Sequence, residues 1–297
     1  MNSSRLALSG GGPRGLGLLG ALHYIDENHG LDNITEYWGS SIGSVLCLLL
    51  SIGYSPFDVF QQFFIMDKLV DNTLQLPTAF ETTALCPIEI FGDKVRTFIE
   101  QKIPRDSQKN VSLNLTFSAL FNLFHKKIHI IGANADTMKG ECFDVDTRPN
   151  MSVIEAIEIS CDLPYIFTKK MFEGHTYVDG GFINNYPIDM ADDGIHKVLG
   201  ICVFGDMSAT ANDYVGWIYR LLQIPVMQLH REHIQRLSKE CVNIELTING
   251  ISLIEMIPTI KKKLNIFSEG YKQGKTFFEA QELAGMFKPD GWGFKDE

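Results

Sequence analysis

Gly39-Ser40-Ser41-Ile42-Gly43 lies between a strand-like segment, Ile34–Trp38, and a continuous apolar run, Ile42–Ile52. A serine centred in G-x-S-x-G, with a strand before it and a helix after it, is the pattern of a nucleophile elbow. Gly39 and Gly43 supply the small residues that so tight a turn requires. Ser41 then stands at a helix N-terminus, where the dipole favours developing negative charge. The bland reading is that Ser40, Ser41 and Ser44 only cap a helix.

Upstream, Leu6-Ala7-Leu8 reads as a short strand that ends in Gly10-Gly11-Gly12-Pro13-Arg14-Gly15. From Arg14 to Asn28, Leu16, Leu19, Leu22 and Ile25 recur at helical spacing, and Gly30 is placed to cap the helix. Strand, helix, strand, helix in that order predicts an α/β layer structure. The glycine run also satisfies G-x-G-x-x-G, a dinucleotide-binding loop if Asp32 or Glu36 serves as its acidic partner. The other use of the run is an oxyanion hole, with the N–H groups of Gly11 and Gly12 aimed at a tetrahedral intermediate and Arg14 shaping the hole or holding a phosphate. A Rossmann loop has no use for the serine elbow that follows.

A serine nucleophile needs a base. His196, His230 and His233 are late enough in the chain for a Ser–acid–His order, but none lies in a motif. Asp179-Gly180-Gly181 follows the strand-like Tyr177-Val178 and allows a sharp turn that presents one carboxylate. That aspartate within reach of Ser41 would form a two-residue device. Taken alone, it also reads as a plain turn aspartate. His125 and His129 are four apart but lack the H-E-x-x-H glutamate, so no metal site is expected.

The 297 residues are 45% hydrophobic and 21% charged, with a formal net charge of -10. An acidic chain is a poor partner for nucleic acid, and membrane contact would have to be local and transient. Six cysteines without a C-x-x-C pair predict reduced thiols in an intracellular, cytoplasmic setting. The N-terminus lacks the features of a cleavable signal peptide, and Ile42–Ile52 is too short to span a bilayer, which predicts a soluble or peripherally membrane-associated protein.

Further along, helices are expected over 57–68, 88–102, 117–124 and 153–159, and strands over 127–133 and 198–204. Residues 71–87 and 104–110 read as irregular. After residue 206 a long helical pattern, Asn212–Leu237, is interrupted by Pro225; a strand over 242–248 and a helix over 267–286 follow. The resulting expectation is a catalytic domain over 1–205 and a mainly helical extension over 206–297. Trp217, Ile218, Leu221 and Leu222, with Lys261–Lys263 nearby in sequence, suggest a helix that lies either on the core or in a lipid interface.

Taken together, G-G-G-x-R-G at 10–15, G-x-S-x-G at 39–43 and D-G-G at 179–181 resemble the patatin-like phospholipases. Ile157–Phe167 and Asn184-Asn185-Tyr186-Pro187 are similar to that family's segments around its D-G-G triplet, and the likeness extends over residues 5–205. The resemblance implies a three-layer α/β/α fold with a mostly parallel central sheet. It implies a Ser41–Asp179 dyad, an oxyanion hole from Gly11 and Gly12 assisted by Arg14, and hydrolysis of phospholipids or related acyl lipids without calcium or another cofactor. Asp162 stands where the family usually has a small residue. A protein activator is left open. Two other classes also remain: a nucleotide-binding oxidoreductase and a catalytically silent lipid-binding module.

Overall fold

In a computed structural model, which describes residues 4–65, 87–103, 115–164, 166–205, 214–251, 255, 258–283, 287–288 and 291–294, the two glycine motifs join adjacent parallel strands. Strand β1 (Ser4–Leu8) enters the Gly10–Gly15 loop, which closes a single 3-10 turn at Gly12–Arg14 before helix α1 (Gly15–Asn28). His29 and Gly30 both donate to the Ile25 carbonyl, with Gly30 at φ +77° ending the helix as its position suggested. Strand β2 (Ile34–Ser40) then runs into Ser41 and helix α2 (Ile42–Ser51).

The main sheet has the order β5-β6-β3-β2-β1-β7-β8, with β4 paired to β3. Strands β3 (Lys127–Asn134), β2, β1, β7 (Lys197–Phe204) and β8 (Cys241–Thr247) are parallel; β4 (Lys139–Phe143), β5 (Lys170–Phe172) and β6 (His175–Asp179) are antiparallel additions. β2 pairs with residues 127–131 of β3, β6 pairs with 132–134, and β4 covers 130–134. A strand has two edges, so β2 and β6 share one edge of β3 end to end, and β4 takes the other.

Side chains alternate between the two faces of this sheet. Leu6, Leu8, Tyr37, Ile130, Leu199 and Ile201 point into the large core, shared with α1, α2 and α10 (Ile260–Leu283). Ala7, Val198 and Cys202 point the other way, against Tyr186, Ile188 and Ala191, which belong to or flank α8 (Ile188–Ala191). Helices therefore cover both faces, giving three layers.

Several elements depart from expectation. Strands β4 and β5 are short and largely exposed, so neither gives a clear two-residue alternation, whereas β6 carries the strand expected at Tyr177-Val178. Helix α10 begins at Ile260, seven residues before the expected start, because Lys263 occupies a core-facing position. Its ammonium donates to the carbonyls of Phe63 (3.0 Å) and Phe64 (3.3 Å) in α3 (Pro56–Ile65). Helix α9 (Tyr214–Gln235) continues through Pro225 instead of breaking there. Helices α1 and α10 cross in backbone contact; a Cβ on Gly20 would lie 2.0 Å from the Phe267 carbonyl oxygen, so the crossing requires glycine. β8, from beyond residue 205, completes the same sheet that β1 begins. The expectations for 71–86 and 104–110 lie outside the described residues. Among the described residues, no helix is long and apolar enough to cross a membrane, and the five cysteines are free thiols.

Candidate active site

Ser41 is one of four non-glycine residues with positive φ among the described residues (φ 52°, ψ -132°). This strained backbone lifts the side chain out of the strand end, as a nucleophile elbow requires. The neighbours leave no room for alternatives. A Cβ on Gly43 would lie 2.5 Å and 2.6 Å from the carbonyl oxygens of Leu8 and Ser9; one on Gly39 would lie 2.5 Å from the Ser44 Cα. Ser44 donates from its hydroxyl (2.6 Å) and its amide (2.9 Å) to the Ser41 carbonyl, which fixes the first turn of α2.

The Ser41 hydroxyl donates to Asp179 Oδ2 at 2.6 Å. Asp179 ends β6, and the Gly181 amide donates to its second oxygen at 2.7 Å. Gly180 is forced by proximity, since a Cβ there would lie 2.1 Å from the Ile131 carbonyl oxygen. Asp179 is only 2% exposed. Burial pushes its carboxyl up to about 7, against the lowering effect of the Ser41 hydroxyl and the Gly181 amide; the nearby Asp162 adds to the rise. A carboxylate in that range is a far better base at neutral pH than a solvated aspartate at ~4.

The C-terminal end of α6 (Val153–Ser160) buttresses both members of the pair. The Ser41 amide donates to Ser160 Oγ (2.9 Å), the Gly180 amide to the Ser160 carbonyl (3.2 Å), and the Asp179 amide to the Asp162 carbonyl (2.8 Å). Asp162 is itself buried; its carboxylate accepts the Lys170 amide at 2.8 Å, and burial pushes it up to about 6. Sequence reasoning marked the segment that holds Ser160 but missed this brace, since a serine at a helix end carries no motif.

The Gly10–Gly15 loop lies against the serine. A Cβ on Gly10 would come within 3.0 Å of the Ser41 Cβ and 2.4 Å of Asn185 Oδ1, and the Gly10 amide donates to the Asn185 carbonyl at 2.9 Å. The amides of Gly11 and Gly12 have no hydrogen-bond partner among the described residues, and both glycines line the cavity that holds Ser41 and Asp179. Arg14 lines it too, but its guanidinium donates to the Ile251 carbonyl (3.0 Å) and packs on Gly205; desolvation lowers its pKa. That geometry favours bracing of the loop over a direct grip on a ligand. Gly15 stands beside Ile42, tying the start of α1 to that of α2.

The remaining candidates lie elsewhere. His196 pairs with Asp193 (2.6 Å), His233 approaches Asp189 (3.3 Å), and His230 approaches Glu245 (3.6 Å). No histidine hydrogen-bonds Ser41 among the described residues. His129 stacks on Trp38 with centroids 3.7 Å apart and contacts Asp144 at 3.0 Å, while His125 ends α5 (Phe117–Phe124) in left-handed conformation. The acidic partner of a dinucleotide loop does not materialise. Asp32 precedes β2 instead of ending it, and Glu36 is engaged by Arg5 at 3.0 Å.

A family model for patatin-like phospholipases matches residues 6–192, a span that includes the glycine loop, the elbow and the D-G-G triplet. The chain belongs to the patatin-like phospholipase family. Among its relatives, a probable lipid hydrolase, 463L, of Invertebrate iridescent virus 6 is 31% identical over 187 residues, 63% of this chain and 62% of that one. An uncharacterized protein, R571, of Acanthamoeba polyphaga mimivirus is 34% identical over 202 residues, 66% of this chain and 64% of that one. The chain thus matches somewhat less than two thirds of the length of these curated relatives. The structure of VipD from Legionella pneumophila superposes with a TM-score of 0.67 at 16% identity, covering 94% of this chain and 67% of VipD. ExoU, seen in a heterodimeric complex with SpcU from the type III secretion system of Pseudomonas aeruginosa, gives 0.50 at 18% identity, over 94% of this chain and 52% of that one. These likenesses establish a patatin-like α/β fold.

Proposed function

We propose that this patatin-like chain hydrolyses the acyl esters of phospholipids or related lipids through Ser41 and Asp179. The observation that carries the reading is the 2.6 Å contact between the hydroxyl of Ser41, whose backbone is strained, and a buried, proton-ready carboxylate, beside two glycine amides without hydrogen-bond partners among the described residues. Ser41 Oγ attacks the ester carbonyl as Asp179 takes its proton. The Gly11 and Gly12 amides receive the charge that develops on the carbonyl oxygen, each such donor typically contributing about 3–4 kcal/mol to the transition state. The ester C–O bond breaks, the proton passes from Asp179 to the departing alkoxide, and an acyl-enzyme remains. Water, deprotonated by Asp179, then attacks the acyl carbon and releases the fatty acid and Ser41. No histidine is needed, because burial has already brought the aspartate near neutrality.

Release of fatty acid from mixed phospholipid vesicles, compared between the wild-type chain and Ser41→Ala, tests this reading. A fluorophosphonate probe should label the wild-type protein at Ser41. Equal release by both proteins would reject the nucleophile; absence of labelling would favour a silent lipid-binding module.

Access from a membrane surface is part of the same reading. Trp217, Leu221 and Ile224 are 51%, 45% and 63% exposed and follow one another at helical spacing along α9. Leu222 and Ile224 also line the Ser41 cavity, so the apolar surface reaches its mouth. Of Lys261–Lys263, Lys263 is buried, Lys262 is paired with Glu255 and Lys261 is exposed, so apolar insertion outweighs what these lysines can add.

A further inference from the structure

Strand register gathers three metal-binding side chains on one face of the sheet, and none of them lines the Ser41 cavity. β3 and β4 pair antiparallel, with Ile130 opposite Phe143 and Ile131 opposite Cys142. Carried one step further, that register sets His129 beside Asp144. Alternation then puts His129, Cys142 and Asp144 on the same face, and their ligand atoms all lie within 4.8 Å of one another. His129 Nδ1 is 3.0 Å from Asp144 Oδ2, and Cys142 Sγ is 3.5 Å from the same oxygen. The other Asp144 oxygen is already engaged: it accepts the amides of Asp146 (2.9 Å) and Thr147 (2.7 Å) and the Thr147 hydroxyl (2.9 Å). His129 and Asp144 are each 5% exposed. The His129 ring is fixed by its stack on Trp38. Its far nitrogen, Nε2, is buried without a hydrogen bond among the described residues, 3.8 Å from Glu36 Oε2.

We propose that His129, Cys142 and Asp144 bind one Zn²⁺ ion, a structural metal that clips β4 to β3 and takes no part in bond making. A nitrogen, a sulfur and an oxygen donor form a set that zinc accepts and that magnesium and calcium, which want oxygen, do not. In a tetrahedral site such donors stand about 3.3–3.6 Å apart. The spacings of 3.0 Å and 3.5 Å around Asp144 Oδ2 need to open only slightly to reach that geometry. On binding, the Cys142 thiol gives its proton to solvent, and the imidazole carries its own proton on Nε2, facing Glu36. The buried Nε2 thereby gains a partner, and a carboxylate–histidine–metal arrangement results, with Glu36 held in turn by Arg5 at 3.0 Å. The Asp144 carboxylate and the Cys142 thiolate together offset the two charges of the ion. Cys142 is half-buried, which gives the ion its entry and a water the fourth position. A plain histidine held between two carboxylates accounts for both ring nitrogens, but not for a thiol set on the same Asp144 oxygen. His125, four residues before His129, takes no part; the ligands come from two paired strands, where an H-E-x-x-H spacing has no meaning. β3 is also the strand along which β2 and β6 lie end to end, so the ion stiffens the support of Ser41 and Asp179.

The experiment takes the full chain, stripped of metal with a chelator, and titrates it with Zn²⁺ against a chromophoric chelator. Co²⁺ serves as the spectroscopic stand-in. It should give a thiolate charge-transfer absorption and the intense visible bands of a tetrahedral site. Cys142→Ser should abolish the charge-transfer absorption and weaken Zn²⁺ binding by about 100-fold. Glu36→Gln, which leaves all three ligands in place, should weaken it by about tenfold. Zn²⁺ should also raise the thermal midpoint of the wild-type protein and leave that of Cys142→Ser unmoved. Equal affinity in the wild type and Cys142→Ser, or no uptake at micromolar Zn²⁺, would overturn the proposal. Should the serine variant fail to fold, the wild-type protein decides: an octahedral Co²⁺ spectrum without charge transfer would reject the site. Cys202, His230 and Glu245 form a second mixed trio. Binding that is lost in Cys202→Ser and kept in Cys142→Ser would place the ion there and overturn the assignment.

Discussion

Ser41 and Asp179 are 138 positions apart in the chain, yet their side chains touch, because a single strand sets both. Ser40, the residue before Ser41, faces Ile131 of β3; Asp179 faces Gly132, the next residue of that strand. β2 and β6 approach β3 from opposite directions along the same edge and end against each other. The serine and the carboxylate are therefore set by consecutive backbone pairings in a sheet, which is a stiffer arrangement than two facing loops would give.

Register is thus the first thing to test. Inserting one residue between Ile131 and Gly132 would move Asp179 by about one strand residue, ~3.3 Å, and reverse the face of everything beyond it. The expected outcome is a folded protein with both motifs intact and no ester hydrolysis. Retained turnover would show that the pair does not depend on this strand.

Asp179→Asn should be inactive and, above neutral pH, more stable than the wild type. The asparagine oxygen can still accept from Gly181, and its amide can donate to Ser41. The folded pKa of about 7 lies above the ordinary value of 3.8, so the carboxyl favours folding most below pH ~4 and loses that advantage as pH rises through about 7. Neutral asparagine avoids the loss. The difference is on the order of 3–4 kcal/mol by pH 8, to be read from denaturant midpoints across pH. An equal stability of the two proteins at pH 8 would mean that the carboxylate is not desolvated.

Activity should climb as pH passes through about 7, because only ionised Asp179 can accept the Ser41 proton. A kcat/KM profile on an uncharged short-chain ester, whose own ionisation cannot intrude, gives the measurement. A profile already flat at pH 5 would contradict the raised carboxyl.

Gly10→Ala should lower kcat with little change in fold. Its new methyl group meets the Ser41 Cβ at 3.0 Å and Asn185 Oδ1 at 2.4 Å, and the loop must give way. Overpacking of this kind costs about 1–3 kcal/mol. Near-unchanged kcat would indicate that the loop is free to move without disturbing the serine.

Membrane contact is checked with Trp217→Ser/Leu221→Ser in vesicle flotation. Both side chains are about half exposed, so folding should survive. The variant should float less than the wild type; identical flotation would exclude this face of α9 as the contact.

The local part of this architecture is written plainly in the chain. The β1–glycine–α1–β2–Ser41–α2 order follows from short apolar runs and from glycines whose positions tolerate no Cβ, such as Gly43 against the Leu8 and Ser9 carbonyls. The D-G-G turn offered Asp179 as a partner for Ser41, but strand register across 138 positions leaves no local trace, so it was motif likeness that joined the two. Other features were hidden for particular reasons. Lys263 points into the core to hold two carbonyls of α3, which broke the apolar period of α10. Pro225 suggested an interruption that α9 does not show. Ser160 braces the elbow from a helix end that reads as ordinary. Arg220 and Arg231 of α9 read as ordinary surface charges in the sequence, yet the fold sets both along the cavity that holds Ser41.

That last placement divides the lining of one cavity between two stretches of chain. The family match stops at residue 192, after every group that would make and break bonds; the helix that walls that cavity begins at Tyr214. The Ser41–Asp179 pair and part of the wall around it consequently come from different stretches of the chain. Substitutions in that wall can reshape the space beside Ser41 while leaving Ser41, Asp179 and the glycine loop as they are.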